Sequence, residues 1–137
     1  MAGDTVFYLH SNLVIMKIIL AEDNDLLRKS LSFFLESKGF EVNQFADGRE
    51  ALEAIKDNNY DIILTDINMP GISGMEMTQY IRITLERNTP IIIFTSSGIE
   101  QTELDAFDIG ANDFMAKPIS PSVLLVRINK LLKEKTR

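Results

Sequence analysis

No cysteine occurs in the chain, so neither a disulfide nor a thiolate metal site is open to it, and a reducing compartment suits it. Imidazole is nearly as scarce: the one histidine, His10, lies outside every motif described below and reads as a surface residue. Basic residues are the minority. The balance of 14 Lys+Arg against 20 Asp+Glu leaves a net charge of −6, with no electrostatic footprint for nucleic acid or anionic lipid. Long apolar runs are missing too. Residues 13–21 are apolar but interrupted by Lys17 and too short to span a bilayer, and no basic segment before them makes a signal peptide. Neither G-x-G-x-x-G nor G-x-x-x-x-G-K-[ST] occurs, which removes the dinucleotide-binding and P-loop classes. These absences lead us to expect a cytoplasmic protein with no nucleic-acid or membrane partner.

At 137 residues, 45% of them hydrophobic, the chain can bury one domain's core. Apolar runs alternate with helical patterns. "KIILA" (17–21) reads as a strand, followed by a helix in which Leu27, Leu31, Phe34 and Leu35 share one face and Gly39 suits the C-terminal cap. Residues 40–45 read as a second strand and 47–59 as a helix opened by Asp47. Then come a strand at 61–65 and a helix at 74–86 with Met77, Ile81 and Leu85 in register. Pro90 opens a strand at 91–95, and a short helix over 100–110 stops at Gly110. A fifth strand (113–116) and a helix over 120–135, with Ser120 as cap and Pro121 in its first turn, complete the pattern.

Five β-α pairs in strict alternation predict an α/β fold, a three-layer, flavodoxin-like, doubly wound sheet of parallel strands. The first, third and fourth strands are continuously apolar, as strands covered on both faces are. The second mixes Glu41, Asn43 and Gln44 into its pattern and the fifth is short, so both read as edges. The order 2-1-3-4-5 satisfies this texture, and ligands of such a sheet bind at the carboxyl ends of the strands.

Those ends carry Glu22 and Asp23, then Asp66, then Thr95 with Ser96 and Ser97, then Lys117. Singly, each has an ordinary reading: Asp23 or Asn24 as a helix cap, Asp66 as a loop acid, Thr95 as a strand-end hydroxyl, Lys117 as a solvated charge. Together they would bring three carboxylates, a hydroxyl and an ammonium to one crevice. Three carboxylates raise one another's pKa unless a cation neutralises them, and an all-oxygen set suits Mg²⁺. Mg²⁺ leaves positions for phosphate oxygens, with which Lys117 and Thr95 are chemically matched. A flavodoxin is excluded because "AEDN" would repel the phosphate of its flavin. An Asp-nucleophile phosphohydrolase is the alternative, but it wants an acid two residues after the nucleophile, where this chain has Asn68.

"KIILAEDN", "DIILTDINMPGISGMEM", "PIIIFTSSG" and "GANDFMAKPIS" resemble the receiver domain of bacterial two-component response regulators, over roughly residues 16–135. The resemblance implies the same strand order. It implies that Asp66 accepts a phosphoryl group from a sensor histidine kinase or a histidine phosphotransfer protein. Glu22, Asp23, Asp66 and the backbone carbonyl of Asn68 would hold Mg²⁺. Thr95 and Lys117 would assist, and the Lys117–Pro118 peptide bond would be cis. Thr95 and Phe114 would form the switch, with Phe114 where the family often has tyrosine and so buried in both states. Asn68 and Ser97 would flank the attack path. The face of the fourth helix, fifth strand and fifth helix would carry output to an effector protein or a second copy, for instance through Asp113 and Arg127 paired across a two-fold axis. On this reading residues 16–137 are the receiver domain. Residues 1–15 have no counterpart in the family core and form an extension, read either as an upstream start or as an added strand or binding arm.

Overall fold

The structure, a computed structural model, describes residues 6–9, 12–96 and 100–136. Two short strands, β1 (Val6–Leu9) and β2 (Asn12–Ile15), pair antiparallel in a sheet of their own. Part of the 1–15 extension is therefore a hairpin rather than a sixth strand of the main sheet. His10 lies outside the described residues.

From Lys17 the five predicted β-α pairs follow: β3 (Lys17–Ala21), α1 (Asp25–Ser37), β4 (Glu41–Phe45), α2 (Gly48–Asp57), β5 (Ile62–Asp66), α3 (Gly74–Gln79), β6 (Ile91–Thr95), α4 (Glu100–Asp108), β7 (Asp113–Ala116) and α5 (Pro121–Thr136). All strand pairings in the main sheet are parallel, in the order β4-β3-β5-β6-β7. Counted from Lys17 this is the predicted 2-1-3-4-5.

The alternation of side chains along each strand divides the core in two. Ile18, Leu20, Ile62, Leu64, Ile92 and Phe94 pack on one face against Leu31 and Leu35 of α1 and Leu124, Ile128 and Leu132 of α5. Ile19, Ala21, Ile63, Ile91 and Ile93 pack on the other against α2, α3 and α4, through Leu52, Ile55, Met77 and Ala106. β5 and β6 are buried along their whole length, and β4 alternates as an edge strand does. Among the described residues no helix is long and apolar enough to cross a membrane.

One helix departs from its predicted form. Ser73 and Glu76 close a capping box at the start of α3, but the α-helix ends at Gln79 and Tyr80–Thr84 is a π-helical turn. Met77, Ile81 and Leu85 still face the core as predicted. The β-branched Ile81, Ile83 and Thr84, close together, weaken α-helical propensity there, and Arg82 donates to a partner outside the helix.

Candidate functional site

At the carboxyl end of β3 the chain must leave the core and start α1 within a few residues. Asn24 is the cap: its side-chain oxygen accepts from the amide of Leu27 at 2.9 Å. That assignment settles the choice between Asp23 and Asn24 and leaves Glu22 and Asp23 without a capping role. Glu22 is fully buried, and its Oε2 accepts from the amide of Asn24 at 3.0 Å. Asp23, beside it, is exposed.

Asp66 ends β5 and is 5% exposed. The loop behind it is tightly built. Gly74, at the start of α3, lies so close that a Cβ would stand 2.4 Å from the Asp66 carbonyl oxygen, so only glycine allows that approach. Gly71 has a φ of +85°, and the Gly48 amide at the start of α2 donates to the Pro70 carbonyl at 2.8 Å. Asn68, in this loop, is exposed.

Glu22, Asp23 and Asp66 each bring one carboxylate oxygen within 4.8 Å of the others. Lys117 reaches into the same place. Its Nζ lies 2.8 Å from Glu22 Oε1 and donates to Asp66 Oδ2 at 2.9 Å. The Lys117–Pro118 peptide bond is cis, as expected. Burial raises the Glu22 carboxyl above its ordinary value, and neither Lys117 nor the Asn24 amide cancels the rise. For Lys117 burial acts downward, yet its bonds to Glu22 and Asp66 outweigh it and hold the ammonium above its ordinary value.

Thr95 ends β6 and is buried, and its carbonyl accepts from the Lys117 amide at 2.6 Å. Phe114 is 6% exposed, packed in the cluster that also holds Ile93 and Ala106. Ser97 lies outside the described residues. Thus four predicted residues, Glu22, Asp23, Asp66 and Lys117, meet directly, and Thr95 stands beside Lys117 through the backbone.

Two features escaped the sequence reading. Arg28, a turn into α1, donates to the Glu22 carbonyl at 3.0 Å, to Asp25 at 2.7 Å and to Gln44 at 3.2 Å. An arginine one turn past a cap was its only signal. Arg127, expected to meet Asp113 of a second copy, binds Asp113 of its own chain at 3.2 Å, because β7 and α5 are adjacent. The α4-β7-α5 surface also exposes Leu104, Phe107, Val123 and Val126.

The donor set fits a hard divalent cation. All its atoms are oxygens, and three carboxylates (Glu22, Asp23, Asp66) against one ammonium (Lys117) leave a surplus of two negative charges, one such ion's worth.

Comparison with known proteins places these residues in context. Residues 18–129 match the profile of the response regulator receiver domain. The transcriptional regulatory protein SrrA of Staphylococcus aureus is 34% identical over 117 residues, covering 85% of this chain and 48% of that protein. The chain thus spans about half the length of the curated relatives it matches. Among solved structures, the receiver domain of Francisella response regulator 1452 superposes with a TM-score of 0.84 at 30% identity, covering 88% of this chain and 98% of that one. Chemotaxis response regulator CheY4 of Vibrio cholerae gives 0.80 at 29%, covering 86% and 99%.

Proposed function

Because this chain belongs to the response regulator receiver domain family, a module of two-component signal transduction, we propose that Asp66 accepts its phosphoryl group. One observation carries the assignment: Asp66 is the acid that ends the central strand, with Lys117 on one oxygen and Glu22 and Asp23 within 4.8 Å. A carboxylate oxygen of Asp66 attacks phosphorus of a phosphohistidine. The P–O bond forms as the P–N bond breaks, and the electron pair returns to the imidazole. Glu22, Asp23, Asp66 and the Asn68 carbonyl would hold Mg²⁺, which when bound neutralises charge on the phosphoryl oxygens. Lys117, already oriented by two carboxylates, moves its charge onto the same oxygens, and the Thr95 hydroxyl donates to them. Exclusion of water by the buried surroundings of Asp66 strengthens each of these contacts.

The family is a signalling family, and the only chemistry proposed here is self-catalysed transfer and loss of the phosphoryl group. The phosphohydrolase alternative has no support from the comparisons, and Asn68 cannot shuttle a proton. A cognate histidine kinase or phosphotransfer protein supplies the group. Thr95 and Phe114 pass its arrival to the α4-β7-α5 face, whose exposed Leu104, Phe107, Val123 and Val126 suit an effector protein or a second copy.

The test is mass spectrometry of the intact chain after incubation with Mg²⁺ and acetyl phosphate or phosphoramidate. One phosphate's mass is gained by the wild type and not by Asp66→Asn, and it is lost at high pH. Labelling of Asp66→Asn at wild-type level overturns the assignment. Steady turnover of many phosphomonoesters would favour the hydrolase.

A further inference from the structure

Asp23 is exposed and makes no side-chain hydrogen bond or ion pair among the described residues, so the point from which its carboxylate reaches the site is set by its backbone. That backbone is held from both sides. The Glu22 amide donates to the Phe45 carbonyl at 3.0 Å, and the Glu22 carbonyl accepts from Arg28 Nη1 at 3.0 Å. The remaining donors of the same guanidinium tie down the start of α1 through Asp25 and the edge strand β4 through Gln44. The Arg28 side chain is only 11% exposed, and α1 is already capped by Asn24, so closing the helix does not require it. A planar fork joining strand, loop and helix is a task that arginine performs and lysine does not.

We infer that Arg28 is a positioning residue for the cation site, holding the peptide from which Glu22 and Asp23 reach it. The inference rests on the reading of that site as one for Mg²⁺. Its sign is diagnostic. A fixed positive charge beside the site repels a divalent cation, so by Coulomb's law alone removing it tightens binding. Positioning predicts the opposite, because partners that orient metal ligands typically change affinity by about 10–100-fold when removed.

The experiment is calorimetric titration of Mg²⁺ alone into the full 137-residue chain as wild type, Arg28→Gln, Arg28→Lys and Gln44→Leu. Arg28→Gln weakens binding about tenfold. Arg28→Lys keeps the charge but not the fork and stays several-fold weaker than wild type, on the order expected for losing such an orienting partner. Gln44→Leu shifts binding in the same direction by less. Unchanged or tighter binding by folded Arg28→Gln overturns the inference, as does full recovery in Arg28→Lys, which would leave only a point charge. Should Arg28→Gln fail to fold by circular dichroism, Gln44→Leu and Arg28→Lys decide, neither of which alters the charge beside the site; unchanged affinity in both overturns it. A wild type that takes up no Mg²⁺ sinks the reading of the site itself. A wild type that binds beside indifferent Arg28 variants sinks the positioning role alone.

Discussion

At the amino ends of β5 and β6, two arginines direct their donors mainly onto backbone carbonyls; at the carboxyl ends of β3 and β5, two carboxylates grip one lysine and a third lies within 4.8 Å of them. Arg82 binds the carbonyls of Gly110 and Arg87 and the side chain of Asn112, at 2.9–3.0 Å. Arg87 in turn holds the carbonyls of Ile55, Lys56 and Asn58 that close α2. Both guanidiniums there meet neutral dipoles. At the other end the contacts are between opposite full charges, and Lys117 stands where a second cation is wanted. The first arrangement is good for holding helices in place and the second for trading one partner for another. With the proposed function, stability and phosphoryl chemistry would fall at opposite ends of one sheet.

The largest expected effect breaks the quiet end. Arg82→Met leaves the Gly110 and Arg87 carbonyls and the Asn112 side chain without their donor and costs about 3 kcal/mol, equally with and without Mg²⁺. Denaturant unfolding in both conditions checks this, and a Mg²⁺-dependent cost would refute the separation of the two ends.

Next in size is Lys117→Met at the active end, which leaves Glu22 and Asp66 facing each other. It costs about 2 kcal/mol without metal, less than for a fully enclosed pair because the ammonium is partly open to water, and Mg²⁺ recovers most of the loss. A pH arm sharpens it. The folded-state pKa of Lys117 lies above the ordinary 10.5, so its stabilisation is complete below 10.5 and lost as pH rises through the folded value. For Glu22 the raised carboxyl works the other way: its contribution is most favourable below the ordinary 4.5 and falls as pH rises through the folded value. Metal-free wild type therefore loses a share of stability above pH 10.5 that Lys117→Met does not lose.

The smallest effects come from neighbours in one loop. Asn24→Ala costs about 1 kcal/mol whether or not Mg²⁺ is present, because it removes a cap. Asp23→Ala leaves metal-free stability within about 0.5 kcal/mol, as expected for a surface change, but abolishes the rise in melting temperature that Mg²⁺ gives the wild type. Equal behaviour of the two variants would mean that Asp23 has no metal role.

What could be read from the sequence follows the same division. The strands, their order and the four residues that meet at Glu22, Asp23, Asp66 and Lys117 were legible, because burial and strand-end position leave strong marks on residue type. Even the cap was narrowed to two adjacent residues. The arginine clasps were not legible: Arg28, Arg82 and Arg87 act through long side chains whose reach of several residues in space leaves no periodicity. The π-helical turn escaped for a related reason, since Met77, Ile81 and Leu85 satisfy a helical pattern whether the turn is wound as α or π. The self-contained pairing of Asp113 with Arg127 depends on how β7 and α5 lie together, which charge pattern alone does not encode.

Arg82 also acts mechanically. By gripping Gly110 just beyond α4, it clamps that helix at the end remote from Thr95. The Asn112 amide, bound to the Ile91 carbonyl at 2.8 Å, fastens the same corner to the sheet. A nine-residue helix is a beam about 13 Å long. With one end fixed, each ångström of displacement at the other becomes roughly 4° of tilt about that fulcrum, given the same rise per residue. The exposed Leu104 and Phe107 ride on the beam, so a small push near its first turn would swing an apolar surface while the fulcrum, and the core beneath it, stays still.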